Sequence, residues 1–215
     1  MDLPLLLAAT LGAYLAGSIP FGLLVARLTG GPDPRSIGSG RTGGTNALRA
    51  LGRRRAAVVS ACDILNGTPP VLTVHALAAE GAEAWTSPWT VVAALFAVIG
   101  ATRSVWVGFK GGRGIATGFG TALAVAPLAL AAVSPVFIII IWRTRLVSLG
   151  SLVTAALFAP ALFLISYATT GGLDGALIAY GLVGPALVWL AHADNIARLR
   201  NGTERTFDTG MLQRD

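Results

Sequence analysis

The sequence predicts an all-helical (all-α) polytopic integral membrane protein, and three observations carry that reading. Of 215 residues, 54% are hydrophobic and only 12% are charged, with a mean hydropathy of +0.70, outside the range of an ordinary soluble domain. Apolar stretches recur at lengths suited to crossing about 30 Å of hydrocarbon as helix. The cations gather in alternate connections, so that all of them fall on one side of the membrane. A single membrane-embedded domain over residues 1–215 is expected.

The elements follow in order. The first apolar run, residues 3 to 27, has no basic residue before it and reads as a permanent helix rather than a cleaved leader. The connection after it carries Arg27, Arg35, Arg41, Arg49, Arg53, Arg54 and Arg55. The second run, 56 to 79, contains Asp63 and the Pro69–Pro70 pair, and the link beyond it has only Glu80 and Glu83. The third, 89 to 102, returns the chain to Arg103, Lys110 and Arg113. Residues 114 to 142 are too long for one simple span, and a single crossing would put Arg143 and Arg145 on the wrong side. Two short helices bent near Pro127 restore the alternation. Runs 148 to 169 and 174 to 193 complete seven transmembrane helices, and a tail with Arg198, Arg200, Arg205 and Arg214 follows. The expected topology is multi-pass in the cell inner (plasma) membrane, with the N-terminus outside and the C-terminus cytoplasmic.

The formal charge of +6 is thereby concentrated on one face. It fits topology and attraction to anionic lipid, so the lipid bilayer is a partner and nucleic acid is not. The lone Cys62 cannot form an internal disulfide. No second His or Cys stands at ligand spacing from His192, so neither a metal nor another cofactor is expected.

Three polar clusters fall on the cytoplasmic side. In RSIGSGRTGGTNALR, residues 35–49, Ser39, Thr45 and Asn46 lie among glycines ahead of Arg49. Successive amides in such a loop form an anion nest, and a helix starting near Thr45 aims its positive end at the same point. It is not a Walker A loop, because no Gly-Lys-Ser/Thr follows. GFKGGRGIATG, residues 108–118, repeats the logic with Lys110, the only lysine, and Arg113 ahead of a helix at about Ile115, with Thr117 in its first turn. HADNIARLRNGTER, residues 192–205, places His192, Asn195 and Arg198 three residues apart on one helical face, with Glu204 beyond. Ser148 and Ser151 open the sixth span, and Asp63 is an ionisable group inside the second, either functional or paired with an arginine of a neighbouring segment. A cationic, amide-rich pocket at the inner leaflet suits a substrate with phosphate and a fatty chain.

Together the three clusters resemble the PlsY-type membrane acyl-phosphate:glycerol-3-phosphate acyltransferase family of bacteria. Its first signature is represented here by residues 17–52, its second by GFKGGRGIATG and its third by HADNIARLRNGTE. The resemblance implies transfer of a fatty acyl group from acyl phosphate to the 1-hydroxyl of glycerol 3-phosphate, the first committed step of bacterial phospholipid synthesis. It further implies that Ser39, Arg49, Lys110 and Arg113 hold phosphate and that Ser148, His192 and Asn195 are catalytic. Thr45, Asn46, Thr117 and Glu204 would support them. Arg41, Asn66, Ala101 and Ser104 depart from the family pattern, where Asn, Lys, His and Pro are usual. Because an acyl phosphate is a mixed anhydride, such a site mainly positions two anions and neutralises developing charge. The His-x4-Asp dyad of other glycerolipid acyltransferases is absent, and His75 with Glu80 lies at the outer end of the second span. The proton then goes to a phosphate oxygen of the substrate or to His192. A non-catalytic or transport-type membrane protein binding a phosphorylated lipid or metabolite remains open, as does a structural subunit using its basic face. Transport would favour matched inverted repeats, and none is evident.

Overall fold

The computed structural model describes residues 3–78 and 87–207; Glu80, Glu83 and Arg214 lie outside them. Among the described residues the chain is helical throughout, without strands. Eleven α-helices follow in order: α1 Leu3–Gly17, α2 Phe21–Leu28, α3 Gly44–Leu51, α4 Arg53–Leu65, α5 Thr68–Ala78 and α6 Pro88–Thr102. They continue as α7 Ile115–Val125, α8 Pro127–Thr144, α9 Val147–Thr170, α10 Gly175–Ala191 and α11 Ala193–Arg200.

Four segments are long and apolar enough to cross a bilayer: Arg53–Ala78, Pro88–Val107, Pro127–Thr144 and Val147–Thr170. Two bent pairs, α1 with α2 at 51° and α10 with α11 at 64°, raise the number to six. The first bend falls at Ser18–Pro20, where proline cannot donate to the ladder.

The break expected near Pro127 is present, but its halves are unequal. Pro127 opens α8, where its missing N–H is harmless. α8 has a full 18 residues and α7 only 11. At 1.5 Å per residue α7 rises about 16 Å, roughly half the hydrocarbon thickness. The apolar segments therefore follow the expected order, while a seventh full crossing is not supplied by length.

Contacts between distant segments bring the basic connections to one end of the bundle. The Arg49 guanidinium donates to the Thr206 carbonyl at 3.1 Å. The Phe207 N–H donates to the Arg145 carbonyl at 3.0 Å, and the Arg145 side chain stands over the Phe207 ring. The turn between α8 and α9, helix α3 and the tail therefore meet.

Small residues let the helices approach closely enough to hold that end in place. A Cβ at Gly17 would collide with the Ala97 backbone, and one at Gly100 with the Tyr14 carbonyl, so α1 and α6 cross in direct backbone contact. Gly67 and Gly120 seat α7 against the junction of α4 and α5 in the same way. Asn66 bridges that junction to the first bend by donating to the Ile19 carbonyl at 3.1 Å. The largest apolar core, including Val91, Val125, Leu130, Phe158, Leu162 and Tyr180, gathers α6 to α10. A smaller one packs α3 against α2 and α4 through Ala26, Ala47, Ala50 and Val59.

Candidate active site

The basic end of the bundle encloses a cavity of about 370 Å³. Four helices start at its wall: α3 through Gly44 and Thr45, α7 through Ile115 and Thr117, α9 through Val147 and Ser148, and α11 through His192 and Asn195. Each start leaves backbone N–H groups without a partner inside the helix and contributes a positive dipole end, so the wall favours anions. Five arginines, Arg41, Arg49, Arg113, Arg198 and Arg205, line the cavity against two carboxylates, Asp63 and Glu204.

The first glycine loop is fixed by one side chain. Asn46 is buried, accepts the Ser39 N–H at 3.0 Å, and donates to the carbonyls of Pro34 at 2.6 Å and Arg41 at 2.8 Å. Gly38 sits at φ +58, and a Cβ there would strike the Asn46 amide. Both N–H donors of Asn46 and one acceptor position of its oxygen are thereby committed to shaping the loop. Asn46 holds Ser39 at the wall, while Arg49, on α3, is held there by its bond to the Thr206 carbonyl.

The second loop is anchored by backbone instead. Gly111 N–H donates to Thr102 O at 3.2 Å and Gly112 N–H to Ala101 O at 2.8 Å. Gly114, at φ +73, caps α7 where a Cβ would meet Thr102 and Val98. This brings Arg113 and Thr117 to the cavity. Lys110 is exposed and stands outside the lining, two residues from Gly112, which belongs to it. Arg41 joins the two loops through a long 3.4 Å hydrogen bond to the Gly111 carbonyl.

The third cluster is a charge network. Glu204 accepts from the Asn195 amide at 2.7 Å and from Arg198 Nε at 2.8 Å. Asp194 accepts from Arg113 at 2.8 Å and from Arg198 at 3.2 Å. The carboxylate fixes the orientation of Asn195: its NH₂ faces Glu204, so its Oδ1 is the group left over. His192 is buried, with Nδ1 2.8 Å from the Val188 carbonyl. A carbonyl can only accept, so Nδ1 carries the proton and Nε2 of the neutral ring is an acceptor.

The decisive feature is a set of buried polar atoms without a hydrogen-bond partner among the described residues. Ser39 Oγ, Arg49 Nε, Arg113 Nε, Ser148 Oγ and Asn195 Oδ1 are all in this state, and all belong to residues of the cavity wall. Each such group costs about 1–3 kcal/mol while unpaired. Four can donate, and the Asn195 carbonyl oxygen accepts. That inventory matches an anion carrying a hydroxyl. Burial pulls the pKa of both Arg49 and Arg113 down from the usual guanidinium value, Arg205 adding to the effect at Arg49, while Asp194 opposes it at Arg113.

Beyond Ile115, Phe119, Phe137 and Ser151 the polar cavity adjoins a second space of about 300 Å³ between α7, α8, α9 and α10. Its wall is mostly aliphatic and aromatic, including Val98, Leu130, Val133, Phe158 and Val188.

Residues 7–202 match the family described as glycerol-3-phosphate acyltransferase. The chain belongs to that family. A glycerol-3-phosphate acyltransferase of Methylorubrum extorquens (strain PA1) is 39% identical over 201 residues, covering 94% of this chain and 92% of the relative. One from Synechococcus sp. (strain JA-3-3Ab) is 46% identical over 199 residues, 92% of this chain and 91% of the relative. The crystal structure of PlsY (YgiH), an integral membrane glycerol 3-phosphate acyltransferase in its glycerol 3-phosphate form, superposes with a TM-score of 0.84. It is 33% identical, with 98% of this chain and 99% of that chain covered. Its lysophosphatidic acid form gives 0.80, with 94% of each covered. This chain is an acyltransferase-family membrane protein on both counts, sequence and fold.

Of the residues singled out in the sequence, Ser39, Thr45, Asn46, Arg49, Arg113, Thr117, Ser148, His192, Asn195 and Glu204 share this one cavity, and Lys110 does not. Asp63 also lines it, and no arginine pairs with it among the described residues. Arg205 had no local signal beyond its place in the basic tail, and its position at the wall follows from the tail folding back onto Arg49 and Arg145. At two departures from the family pattern the side chains have structural work: Asn66 holds the first bend, and Ser104 donates to the Ser18 carbonyl.

Proposed function

We propose that this acyltransferase moves a fatty acyl group from an acyl phosphate to the 1-hydroxyl of glycerol 3-phosphate, at the cytoplasmic face of the plasma membrane. The observation that carries the reading is the convergence of unpartnered donors and the Asn195 acceptor on a cationic cavity that continues into an apolar space. The polar part fits the phosphates and glycerol. The apolar part fits the acyl tail of the donor. The relatives' names and the two PlsY forms support the acceptor and product, and the acyl phosphate donor is the finer part of the proposal.

In this reading Arg49, Arg113 and Ser39 bind phosphate oxygens, with Lys110 reaching in from the rim on its flexible stem. Asn195 Oδ1 accepts from a glycerol hydroxyl, held in that orientation by Glu204. Ser148 Oγ donates to the acyl carbonyl as negative charge builds on it. The 1-hydroxyl oxygen forms a bond to the acyl carbon, and the bond from that carbon to the phosphate oxygen breaks. The hydroxyl proton passes to the departing phosphate, giving 1-acyl-glycerol 3-phosphate and inorganic phosphate. His192 Nε2, the acceptor of the neutral ring, takes a hydrogen bond from the 2-hydroxyl and so helps orient the glycerol.

The test is phosphate release from palmitoyl phosphate by the purified protein, with and without glycerol 3-phosphate. Release that requires the acceptor, yields lysophosphatidic acid and disappears in Asn195→Ala supports the reading. Binding of both compounds without turnover overturns it in favour of a lipid-phosphate binding protein.

A further inference from the structure

The apolar space below the polar cavity has a built end. On α9, Ser148 at the polar wall and Phe158 are ten residues apart, which is about 15 Å along the helix and equals about half the hydrocarbon thickness. Phe158 is buried and meets Tyr180 of α10 edge to face, ring centroids 5.8 Å apart at 84°. The Tyr180 hydroxyl is tied to Thr121 Oγ1 of α7 at 2.9 Å. Three helices are thus pinned to one another at one depth by two aromatic rings and a buried hydrogen bond, and all three residues line the space.

The side of the space is different. Phe119 and Ile138 line it and are also 40% and 63% exposed, so in a bilayer this side faces lipid. A chain that reaches the bottom can continue outward past these residues.

We infer that the Phe158–Tyr180 pair is the stop that sets how far an acyl chain runs inside the protein before it must bend out into lipid, and so sets the enzyme's chain-length preference. The inference rests on the proposed acyl phosphate donor and names the specificity-determining residues for it. Chains ending above the stop bury their whole length against the wall. Longer ones lose the matched fit, because further methylenes exchange a packed wall for lipid at the cost of a bend.

The experiment compares wild type, Phe158→Ala and Ala155→Phe with octanoyl, dodecanoyl, palmitoyl and stearoyl phosphate at fixed glycerol 3-phosphate. Ala155 lines the same space one turn nearer the polar site. The readout is the ratio of kcat/KM for a long donor to a short one in the same preparation, which partial misfolding does not move. Removing the ring should raise the stearoyl-to-dodecanoyl ratio about tenfold, the discrimination typical of a methylene or more in an apolar pocket. Filling the space at 155 should lower the palmitoyl-to-octanoyl ratio by about as much. Unchanged ratios in whichever variants fold overturn the stop while leaving the proposed reaction intact. Absence of transfer from every acyl phosphate in the wild type overturns the donor assignment, and the stop with it.

Discussion

The two glycine loops share a composition and differ in how they are held. Loop 34–46 is organised around a buried side chain, Asn46, whose three hydrogen bonds reach Ser39, Pro34 and Arg41. Loop 103–114 is organised by backbone pairing to the end of α6, with Thr102 and Ala101 as acceptors. The first therefore has one residue that joins three points of the loop, whereas in the second the buried Ser104 hydroxyl ties only the loop's start to the Ser18 carbonyl and backbone pairing holds the rest. The second also leaves one of its two cations, Lys110, exposed and outside the cavity lining, while Arg113 lines the cavity and pairs with Asp194. Similar glycine spacing delivers anion-binding groups in both cases, and only packing decides which cation faces the cavity.

Substitutions can sharpen that contrast, starting with the guanidinium of the first loop's helix. Arg49→Ala removes a half-buried cation with an unpartnered Nε, and kcat/KM for acyl transfer should fall about 100-fold or more, the scale of a lost preorganised charge contact. Next comes Asn46→Ala, which strands the Ser39 N–H and two carbonyls. It should lower the melting temperature by roughly 5–10 °C, from about 1–3 kcal/mol of lost pairing, and reduce activity about tenfold without any direct substrate contact. Lys110 is exposed and its side chain takes no part in the pairing that holds the second loop, so Lys110→Ala should leave the melting temperature unchanged and raise KM several-fold, with kcat within about twofold. That KM effect should shrink at high salt, because an exposed charge is screened. Smallest of all is Arg41→Ala, whose hydrogen bond to Gly111 is already 3.4 Å long; about a threefold rise in KM is expected. A larger effect of Arg41→Ala than of Lys110→Ala would mean that the arginine at this position has taken over charge from the rim.

Much of this organisation was legible beforehand, for identifiable reasons. Charge alternation located the break near Pro127, because Arg143 and Arg145 had to return to the basic side. Glycines followed by Thr45 and by Ile115 marked helix starts now seen at Gly44 and Ile115. Residues 192, 195 and 198 advertised a shared face at the membrane boundary. What the sequence withheld was set by tertiary contact. The close seating of α7 on Gly67 is a tertiary contact that no local period records. The return of the tail onto Arg49 and Arg145, which brings Arg205 to the wall, is a long-range contact with no motif. The apolar space and its aromatic end come from four helices meeting, and their sequences read only as Leu-, Ala- and Val-rich spans.

Acyl transfer at this site requires both ends of the polar wall to face one ligand. Single cysteines at Ser39 in the first loop and at Ser148 on α9, each in a Cys62→Ala background, would report this through their rate of reaction with a small thiol reagent. A third cysteine at Ser36, exposed and outside the lining, serves as reference. A single shared chamber predicts that glycerol 3-phosphate protects positions 39 and 148 alike and leaves position 36 reactive. Protection at only one of the two positions would contradict it.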